Sequence, residues 1–445
     1  MTRATAVAEP PEAEAPAAAE ASGPRSLTPL LTLVAVSGIT SLGVAMTLIA
    51  VPWFVLQSTG SGTRTGLVAA AEMLGLLCSA VLAGPVIDRL PARAAGIGAD
   101  CLTAAALGLI PLLHAVDLLA PPVLLVLVFV VGAARGPADT AKQLLLSDAM
   151  ARARVGAERA TSAVEGARRV GLMAGAPLAG LLIGTAGPVR TLCADVAAML
   201  VSALLVALLV PAAKTDAKAD TGGEAGAEAD AAGGSSYLRD LRVGRQYVYG
   251  DRLVRAMTAV LLVTNALDGA LNGVLYPAYG TRVLHSSALF GAMVTAIGAG
   301  ALLGAGLYGW TGHRLPRRAL FVGAFTLVGA VRCATLAAEP PPAVLLGLLA
   351  LSGIGSGIVG PLMMSVAYER VPGPVRGRVF GLLVASALAA TPLGMLGAGL
   401  VLDHWGLTST LLGIAVVYLG VTLAPLVFRV WRELDRPTSG TSALG

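Results

Sequence analysis

Charged and aromatic residues are scarce in this sequence. Of its 445 residues, 13% are charged, 4% are aromatic and 56% are apolar. Because soluble domains carry about 25% charged residues, this composition excludes an ordinary water-soluble protein. The mean hydropathy of +0.79 points the same way, and we conclude that the chain is a membrane protein.

Cysteine and histidine are scarce as well, with four of each. Cys78, Cys101, Cys193 and Cys333 show no C-x-x-C spacing, and the histidines form no H-E-x-x-H pattern. The sequence therefore indicates neither a disulfide framework nor a metal site. The phosphate-binding pattern G-x-x-x-x-G-K-[ST] is absent too, which argues against ATP as an energy source. We expect no enzyme, no catalytic or metal-binding residues and no cofactor.

The apolar residues are grouped in runs of about twenty. A helix that rises about 1.5 Å per residue needs this length to cross about 30 Å of hydrocarbon. The sequence therefore predicts an all-α polytopic membrane protein with twelve transmembrane helices, six on each side of a long polar break. The predicted helices cover residues 29–56, 65–87, 94–116, 119–141, 163–186, 189–211, 256–280, 288–310, 318–338, 342–366, 378–402 and 407–430.

Arginine is distributed unevenly between the predicted loops. Loops after odd-numbered helices contain only Arg64, Arg190 and Arg282. Because Lys and Arg are enriched in cytoplasmic loops, both termini and the central loop are predicted to be cytoplasmic. The same bias accounts for the net charge of +5 without a nucleic-acid partner. The loops after even-numbered helices contain Arg89, Arg93, Arg152, Arg154, Arg159, Arg314, Arg317, Arg318, Arg370, Arg376 and Arg378.

The polar segments differ from the helices in composition. The N-terminal tail has no apolar core, so we do not expect it to be a signal peptide, and the central stretch is typical of a flexible linker. Basic and apolar residues then alternate, which fits either a helix on the anionic membrane surface or a solvated segment. The predicted organisation is a disordered cytoplasmic tail (1–27), an N-terminal six-helix bundle (28–211), a flexible cytoplasmic linker (212–236), a basic juxtamembrane segment (237–255), a C-terminal six-helix bundle (256–431) and a cytoplasmic tail (432–445).

The chain repeats itself at an offset of 225 residues. The stretch GPVIDRLPAR at 84–93 returns as GWTGHRLPRR at 309–318. A shared offset between two six-helix halves predicts two like-oriented bundles related by an axis along the membrane normal. Other matches at this offset are Pro52 with Pro277, Gly66 with Gly291, and Gly75 with Gly300.

The first copy of this stretch resembles the G-x-x-x-D-R-x-G-R-[RK] motif of the major facilitator superfamily, although Pro91 and Ala92 stand where the motif prefers Gly and Arg. The stretches VPWFVLQSTGS, YPAYGTRVL and RGRVFGLL are similar to bacterial siderophore and macrolide exporters. This resemblance implies the major facilitator fold, in which two six-helix bundles expose a central cavity alternately to the two faces of the bacterial cytoplasmic (inner) membrane. Helices 1, 4, 7 and 10 are then expected to line the cavity.

The fifth predicted helix contains a second family motif. Its stretch GLMAGAPLAG is similar to the antiporter motif G-x-x-x-G-P-x-x-G-G, with Gly175, Pro177 and Gly180 at matching positions. Ala176 stands where a glycine is expected. The resemblance therefore favours efflux by antiport.

The repeated stretch is implied by the resemblance to be a cytoplasmic gating motif. Its glycine lets helix 2 pack against helix 11, its aspartate caps a neighbouring helix, and its arginines hold the inner ends of the bundles together. These residues are Gly84, Asp88, Arg89 and Arg93. In the second copy a histidine replaces the aspartate. This replacement predicts a weaker clasp, by which we mean the contacts that the motif makes at the cytoplasmic ends of the bundles. The residues of the second copy are Gly309, His313, Arg314, Arg317 and Arg318.

Helix 7 contains a polar stripe formed by Asn265, Asp268 and Asn272. Their spacing of i, i+3 and i+7 places them on one helical face. Thr40 and Thr47 are at the repeat-related positions of helix 1. We expect these residues to line the cavity, and hydrogen bonds to neighbouring helices are the alternative.

Charged residues inside predicted helices are a signal of function, because a charge at mid-depth costs about 2.5–3.5 kcal/mol even on insertion scales, and four of them stand out. They are Asp268, Glu72, Arg332 and Arg135. Arg135 has a local partner in Asp139 at i, i+4, whereas Arg332 needs a carboxylate on another helix or an anionic substrate group. Asp268 or Glu72 is the candidate for proton coupling. A structural hydrogen bond, or for Glu72 a contact with helix 11, is the alternative.

The sequence thus predicts a secondary active transporter, with proton-coupled efflux of amphiphilic small molecules such as drugs, antibiotics or siderophores as the leading interpretation. A carboxyl buried in the bilayer can bind a proton on one side and release it on the other. Proton symport that imports a metabolite is the alternative, and a non-transporting membrane receptor or scaffold is a further one. The expected partners are a small-molecule substrate, protons and the lipid bilayer, and the chain is expected to be a monomer.

Overall fold

The structure is a computed structural model that describes residues 26–211, 246, 248–312, 315–371, 373–428 and 430–431, without the side chains of 80–88, 373–375 and 377–378. This part of the chain forms twelve long helices. They are α1 (Thr28–Thr59), α2 (Gly62–Arg89), α3 (Ala92–Ala115), α4 (Pro121–Ala153), α5 (Ala157–Ala186), α6 (Pro188–Leu209), α7 (Arg252–Leu284), α8 (Ser287–Thr311), α9 (Arg317–Ala337), α10 (Pro342–Arg370), α11 (Gly373–Trp405) and α12 (Leu407–Val427).

The all-helical membrane fold predicted from the sequence is confirmed. Eleven helices in the described residues have the length and apolar composition needed to cross a membrane, and α2 is 28 residues long. The largest difference is at the end of α4, which continues to Ala153 rather than ending near residue 141. Leu145 and Leu146 in this extension belong to one buried cluster with Leu30 and Leu33 of α1. An amphipathic extension of this kind has no long apolar run, so the search for such runs missed it.

The repeat extends to the sixth helix of each bundle. α6 and α12 each begin after a glycine with positive φ, Gly187 (84°) and Gly406 (78°), a conformation that other residues rarely adopt. One turn later the hydroxyls of Thr191 and Thr410 donate to the carbonyl oxygens of these glycines, at 2.9 and 2.6 Å. The two glycines are 219 positions apart, and this register pairs α6 with α12.

The two bundles touch mainly through two helix pairs, α2 with α11 and α5 with α8. Gly66 and Gly291, which the repeat pairs, occupy these two contacts. A methyl group on Gly66 would overlap the backbone of Met395 on α11, and one on Gly291 would overlap the backbone of Ala176 on α5. Close backbone approach at small residues is the usual basis of helix packing in membranes, and here it joins the bundles at repeat-related positions.

Several predicted segments lie outside the described residues: 1–25 of the tail, the linker 212–236, residues 237–245 and the tail 432–445. The end of the predicted juxtamembrane segment is described. There Asp251 caps α7, because its carboxylate accepts hydrogen bonds from the backbone N–H groups of Leu253 and Val254 at 2.8 and 3.1 Å. The division of the chain into bundles, linker and tails stays a prediction.

Candidate functional site

A cavity of about 500 Å³ lies between the two bundles, at the middle of the helices. Its wall comes from α1, α2, α4, α5, α7, α8 and α11. The expectation that α10 lines the cavity with α1, α4 and α7 is therefore wrong for this cavity, whereas the other three helices do contribute. Most of the wall is apolar. The polar residues in it are Glu72, Arg135, Asn265, Asp268, Asn272, Tyr276 and Thr391.

The N-terminal bundle contributes an ion pair to the wall. Arg135 Nη2 on α4 lies 2.7 Å from Glu72 Oε1 on α2, and these side chains are only 15% and 7% exposed. The two helices cross closely here, since a methyl group on Gly132 would overlap the carbonyl of Glu72. The predicted local pairing of Arg135 with Asp139 is wrong: the close α2–α4 crossing brings a carboxylate from another helix instead.

The C-terminal bundle contributes a carboxyl with a different environment. Asp268 Oδ1 on α7 accepts a hydrogen bond from the hydroxyl of Tyr418 on α12 at 3.4 Å. Among the described residues no Lys, Arg or His nitrogen lies within 4.0 Å of this carboxylate. Glu72 and Asp268 therefore face one cavity, the first paired with a cation and the second with a neutral hydroxyl.

The two asparagines of the predicted stripe lie in the cavity wall beside Asp268. Each side chain donates a hydrogen bond to the backbone of its own helix: Asn265 to the carbonyl of Leu261, and Asn272 to the carbonyl of Asp268, both at 2.8 Å. They therefore do not tie α7 to a neighbouring helix through these bonds. Three residues after Asp268 the helix widens into a π-helical turn, Leu271–Leu275, a feature that often occurs at functional sites.

Arg332 lies behind this wall and is 4% exposed. Its guanidinium donates to Ser352 Oγ at 2.9 Å, to Ser356 Oγ at 2.8 Å and to the hydroxyl of Tyr276 at 3.2 Å. Two serines of α10 and a tyrosine of α7 thus supply its hydrogen-bond acceptors, and the carboxylate on another helix that the sequence predicted is Asp268 of α7, which lies within electrostatic reach of Arg332 rather than in direct contact. Tyr276 and Asp268 both line the cavity, so Arg332 acts on the cavity from behind its wall, through a hydrogen bond to Tyr276 and an electrostatic interaction with Asp268.

The predicted threonines of α1 do not line the cavity. Its wall there is apolar, from Ala45, Leu48 and Ile49. Thr47 is buried and donates its hydroxyl to Asp195 Oδ2 on α6. Thr40 donates to the carbonyl of Val36 at 2.9 Å and lines a separate polar pocket of about 330 Å³ with Asp139, Lys142, Glu165 and Arg168. The repeat aligned these positions with α7 but did not specify which side of α1 faces the cavity.

Asp195 was missed in the sequence. It is a single acidic residue in an otherwise apolar helix, which is itself a signal. The signal was overlooked because the resemblance places the sixth helix outside the cavity. Tyr276 and Tyr418 were missed for a different reason, since a tyrosine in an apolar run gives no indication of its hydrogen-bond partner.

The gating motif is only partly described. The surroundings of Gly84, the side chain of Asp88 and residues 313–314 lie outside the described part, so the roles of Gly84, Asp88 and Arg314 and the weaker clasp at His313 stay predictions. Arg89 is exposed at the end of α2. Within the described part of the chain, no atom lies within 4 Å of where a methyl group on Gly309 would sit.

The described arginines of this motif hold helices within one bundle. Arg93 donates to the carbonyl of Ala207 near the end of α6, and its repeat partner Arg318 donates to the carbonyls of Pro425 and Leu426 near the end of α12, at 2.8 and 2.9 Å. Basic groups suit these places because helix C-termini carry unsatisfied carbonyls. The expectation that Arg93 and Arg318 join the two bundles is therefore wrong for the bonds described.

Arg317 behaves in the same way. Its guanidinium donates two hydrogen bonds of 2.6 Å to the carboxylate of Glu369 on α10, which links α9 to α10 inside the C-terminal bundle. This forked ion pair lies within one bundle, and the expected link between the bundles at Arg317 stays a prediction.

The antiporter-like motif of α5 serves two helix crossings. A methyl group on Gly175 would overlap Leu42 and Ala45 of α1, and one on Gly180 would overlap the backbone of Ser287 on α8. Pro177 lies inside the helix between them. The glycines of this motif therefore let α5 pack closely against α1 of its own bundle on one face and against α8 of the other bundle on a second face.

The bundles are also joined at the end where odd-numbered helices finish, which we call the odd-loop end. Asp403 of α11 accepts hydrogen bonds there from Ser61 Oγ, Gly62 N and Thr63 N at 2.9, 2.7 and 2.8 Å. A carboxylate at the start of α2 satisfies free N–H groups and interacts favourably with the helix dipole. Arg282 of α7 adds a bond to the carbonyl of Gly60 at 3.0 Å.

Replacing Asp403 by alanine is expected to loosen this contact. A helix cap contributes about 1 kcal/mol, so the population with a separated odd-loop end should rise about fivefold. Spin labels at Gln57 and Ser409, on opposite bundles, would report the distance distribution. His404→Ala is the matched control, because the His404 ring bonds, within the described residues, only to the carbonyl of Leu400 in its own helix. Identical distributions for both variants and the parent would contradict the expectation.

Comparison with known proteins identifies relatives over nearly the whole chain. The family model described as Major Facilitator Superfamily matches residues 33–264 and 258–444. The multidrug efflux pump Tap of Mycobacterium tuberculosis (strain ATCC 25618 / H37Rv) is 31% identical over 420 residues, covering 93% of this chain and 95% of the relative. The multidrug efflux pump Tap of Mycolicibacterium fortuitum is 30% identical over 411 residues, covering 92% and 97%.

Solved structures share the fold. The crystal structure of the nucleoside transporter NupG has a TM-score of 0.73 at 12% identity and covers 89% of this chain and 98% of that one. A bacterial homolog to the human lysosomal transporter Spinster, in an inward-facing and unoccupied conformation, has a TM-score of 0.65 at 14% identity and covers 94% and 100%. At such low identity the similarity concerns the fold alone.

Proposed function

This chain belongs to the major facilitator superfamily and is a secondary transporter, and we propose that it exports amphiphilic small molecules in exchange for protons. The observation that carries the proposal is Asp268, a carboxyl in the wall of a largely apolar cavity with a neutral hydroxyl as its partner. Burial of a carboxyl with no cation in direct contact favours the protonated acid, and Arg332, which lies within electrostatic reach behind the wall, opposes this effect. Exposure to the two membrane faces in turn would load and unload its proton.

The chemistry of the cavity supports amphiphilic substrates. Its wall is mostly apolar, with aromatic surface from Phe290 and Tyr276 and carboxyls from Glu72 and Asp268. Sites of this volume with a few convergent polar groups bind drug-sized molecules. The similarity to multidrug efflux pumps supports export of such molecules.

We extend the proposal to the setting of the protein. The asymmetric distribution of arginine supports insertion in a bacterial cytoplasmic membrane with both termini in the cytoplasm. Both walls of the cavity come from one chain, which supports transport by a monomer. In this topology the odd-loop end faces away from the cytoplasm.

Transport by purified protein in lipid vesicles tests the proposal. Ethidium is a suitable probe, because its permanent charge prevents passive trapping of the kind that weak bases show. Antiport should drive ethidium into vesicles with an acidic lumen, and nigericin, which collapses the pH gradient, should stop it. Symport would instead drive ethidium out of an acidic lumen. Movement equal to that in protein-free vesicles in either gradient would contradict transport of this probe and favour a receptor or scaffold.

A further inference from the structure

We propose that Asp195 of α6 is a second proton-binding carboxyl, placed behind the cavity wall of the N-terminal bundle; the inference rests on the proposed proton coupling and adds a site to it. Asp195 is 0% exposed. Its Oδ2 accepts a hydrogen bond from the hydroxyl of Thr47 on α1. Its Oδ1 has no hydrogen-bond partner in the described residues.

The charge state of Asp195 follows from this poor solvation. An ionised carboxylate removed from water needs a cation or several hydrogen-bond donors, and Asp195 has one hydroxyl. Among the described residues no basic nitrogen lies within 4.0 Å of it. The neutral acid is therefore the form that this environment stabilises, which is the condition of a group that carries a proton.

The repeat gives an independent reason to treat Asp195 as functional. The offset of 225 pairs Asp268 of α7 with Gly43 of α1, and the α6–α12 register pairs Tyr418 with Met199. In the C-terminal bundle the Asp268 side chain occupies the space between α7 and α12 beside Tyr418. In the N-terminal bundle a methyl group on Gly43 would overlap Met199 Cε and Asp195 Oδ1.

The carboxyl of Asp195 therefore fills the space that Gly43, the counterpart of Asp268, leaves empty. Each bundle has one weakly solvated carboxyl between its first and sixth helices, but the two carboxyls come from opposite helices of the pair. Because Asp195 is on the sixth helix of its bundle and Asp268 is on the first helix of the other, aligning α1 with α7 by the repeat does not detect Asp195. Thr47, one turn after Gly43, supplies the hydroxyl that Tyr418 supplies in the other bundle.

The charged groups nearest to Asp195 belong to the cavity wall. Arg135 and Glu72 lie within electrostatic reach of it, and they form the ion pair of the N-terminal wall. When Asp195 releases its proton to water, the new carboxylate attracts Arg135 and competes with Glu72 for it. Proton release at Asp195 would in this way weaken the Glu72–Arg135 pair that faces the substrate.

The other helices that pack on α6 present no free charge at this level. On α3, Asp100 is bonded to Lys142 at 3.0 Å and to Ser202 at 2.7 Å, and Ser202 is about two turns along α6 from Asp195. On α5 the charged residues occupy 158–169, near the start of the helix, whereas Asp195 lies near the opposite end of the bundle.

Infrared difference spectroscopy and proton release test the assignment. In the parent protein in lipid, binding of ethidium should perturb the carbonyl stretch of a protonated carboxyl and release protons that a pH indicator detects. Asp195→Asn should remove one such band and reduce the protons released per ethidium bound. Asp100→Asn is the matched control: this aspartate is equally buried in the same bundle but is paired with a lysine, so the protonated-carboxyl bands should persist.

Thr47→Val provides a second measurement that keeps Asp195 in place. Loss of the hydroxyl partner should shift the carbonyl band assigned to Asp195 to higher frequency, even if Asp195→Asn fails to fold. A folded Asp195→Asn variant with all carboxyl bands and the full proton release would overturn the assignment, as would an unshifted spectrum in Thr47→Val. Absence of any proton release from the parent protein would instead contradict the proposed proton coupling, so the two failures are distinguishable.

Discussion

Replacing Asp268 by asparagine is expected to abolish transport driven by a pH gradient while leaving folding and ethidium binding intact. The amide has nearly the same shape as the carboxyl, and its oxygen can still accept the hydrogen bond from Tyr418. What it loses is the ability to bind and release a proton. Uptake of ethidium into vesicles with an acidic lumen should fall to the level of protein-free vesicles, whereas ethidium binding by the solubilised protein should change little.

Two controls separate coupling from packing at this position. Asp268→Glu keeps a titratable group and should retain part of the pH-driven uptake. Asn265→Ala removes a polar side chain of the same wall that bonds only to its own backbone, and it should alter affinity without uncoupling transport. If Asp268→Asn transported ethidium at the parent rate with the parent dependence on pH, coupling through Asp268 would be excluded.

The helices and the repeat were predictable because the bilayer imposes a length on every span. About 20 apolar residues are needed to cross it, so composition alone located each helix to within a few residues at most ends. The glycine pairs were equally accessible, since Gly66 and Gly291 are required wherever two backbones approach closely. Features that depend on length and on small residues therefore follow from the sequence.

The partners of the charged residues were not predictable in the same way. Hydropathy shows that Arg135 lies in the membrane, but the choice between Asp139 and Glu72 depends on the rotation of α4 about its axis and on its crossing with α2. The same applies to Thr47, whose position on α1 decides between the cavity and Asp195. The repeat also misled where the two bundles differ, because it aligns Asp268 with a glycine.

Removing one member of the Glu72–Arg135 pair is expected to damage the protein more than removing both. Breaking a buried ion pair on one side costs about 3–5 kcal/mol, because the remaining charge is left without a partner. Both side chains here are at most 15% exposed. Arg135→Gln should therefore lower the unfolding temperature in detergent strongly, or force Glu72 to take up a proton.

The double variant Glu72→Gln, Arg135→Gln separates stability from transport. Two neutral amides can hydrogen-bond to each other across the α2–α4 crossing, so the unfolding temperature should recover most of what the single variant loses. Ethidium transport should not recover, because the cavity wall would lack both the charges that respond to Asp195 and the carboxylate that faces the substrate. Full transport by the double variant would show that the pair serves only to hold α2 against α4, and equal stability of the single and double variants would show that the ion pair contributes little even to that.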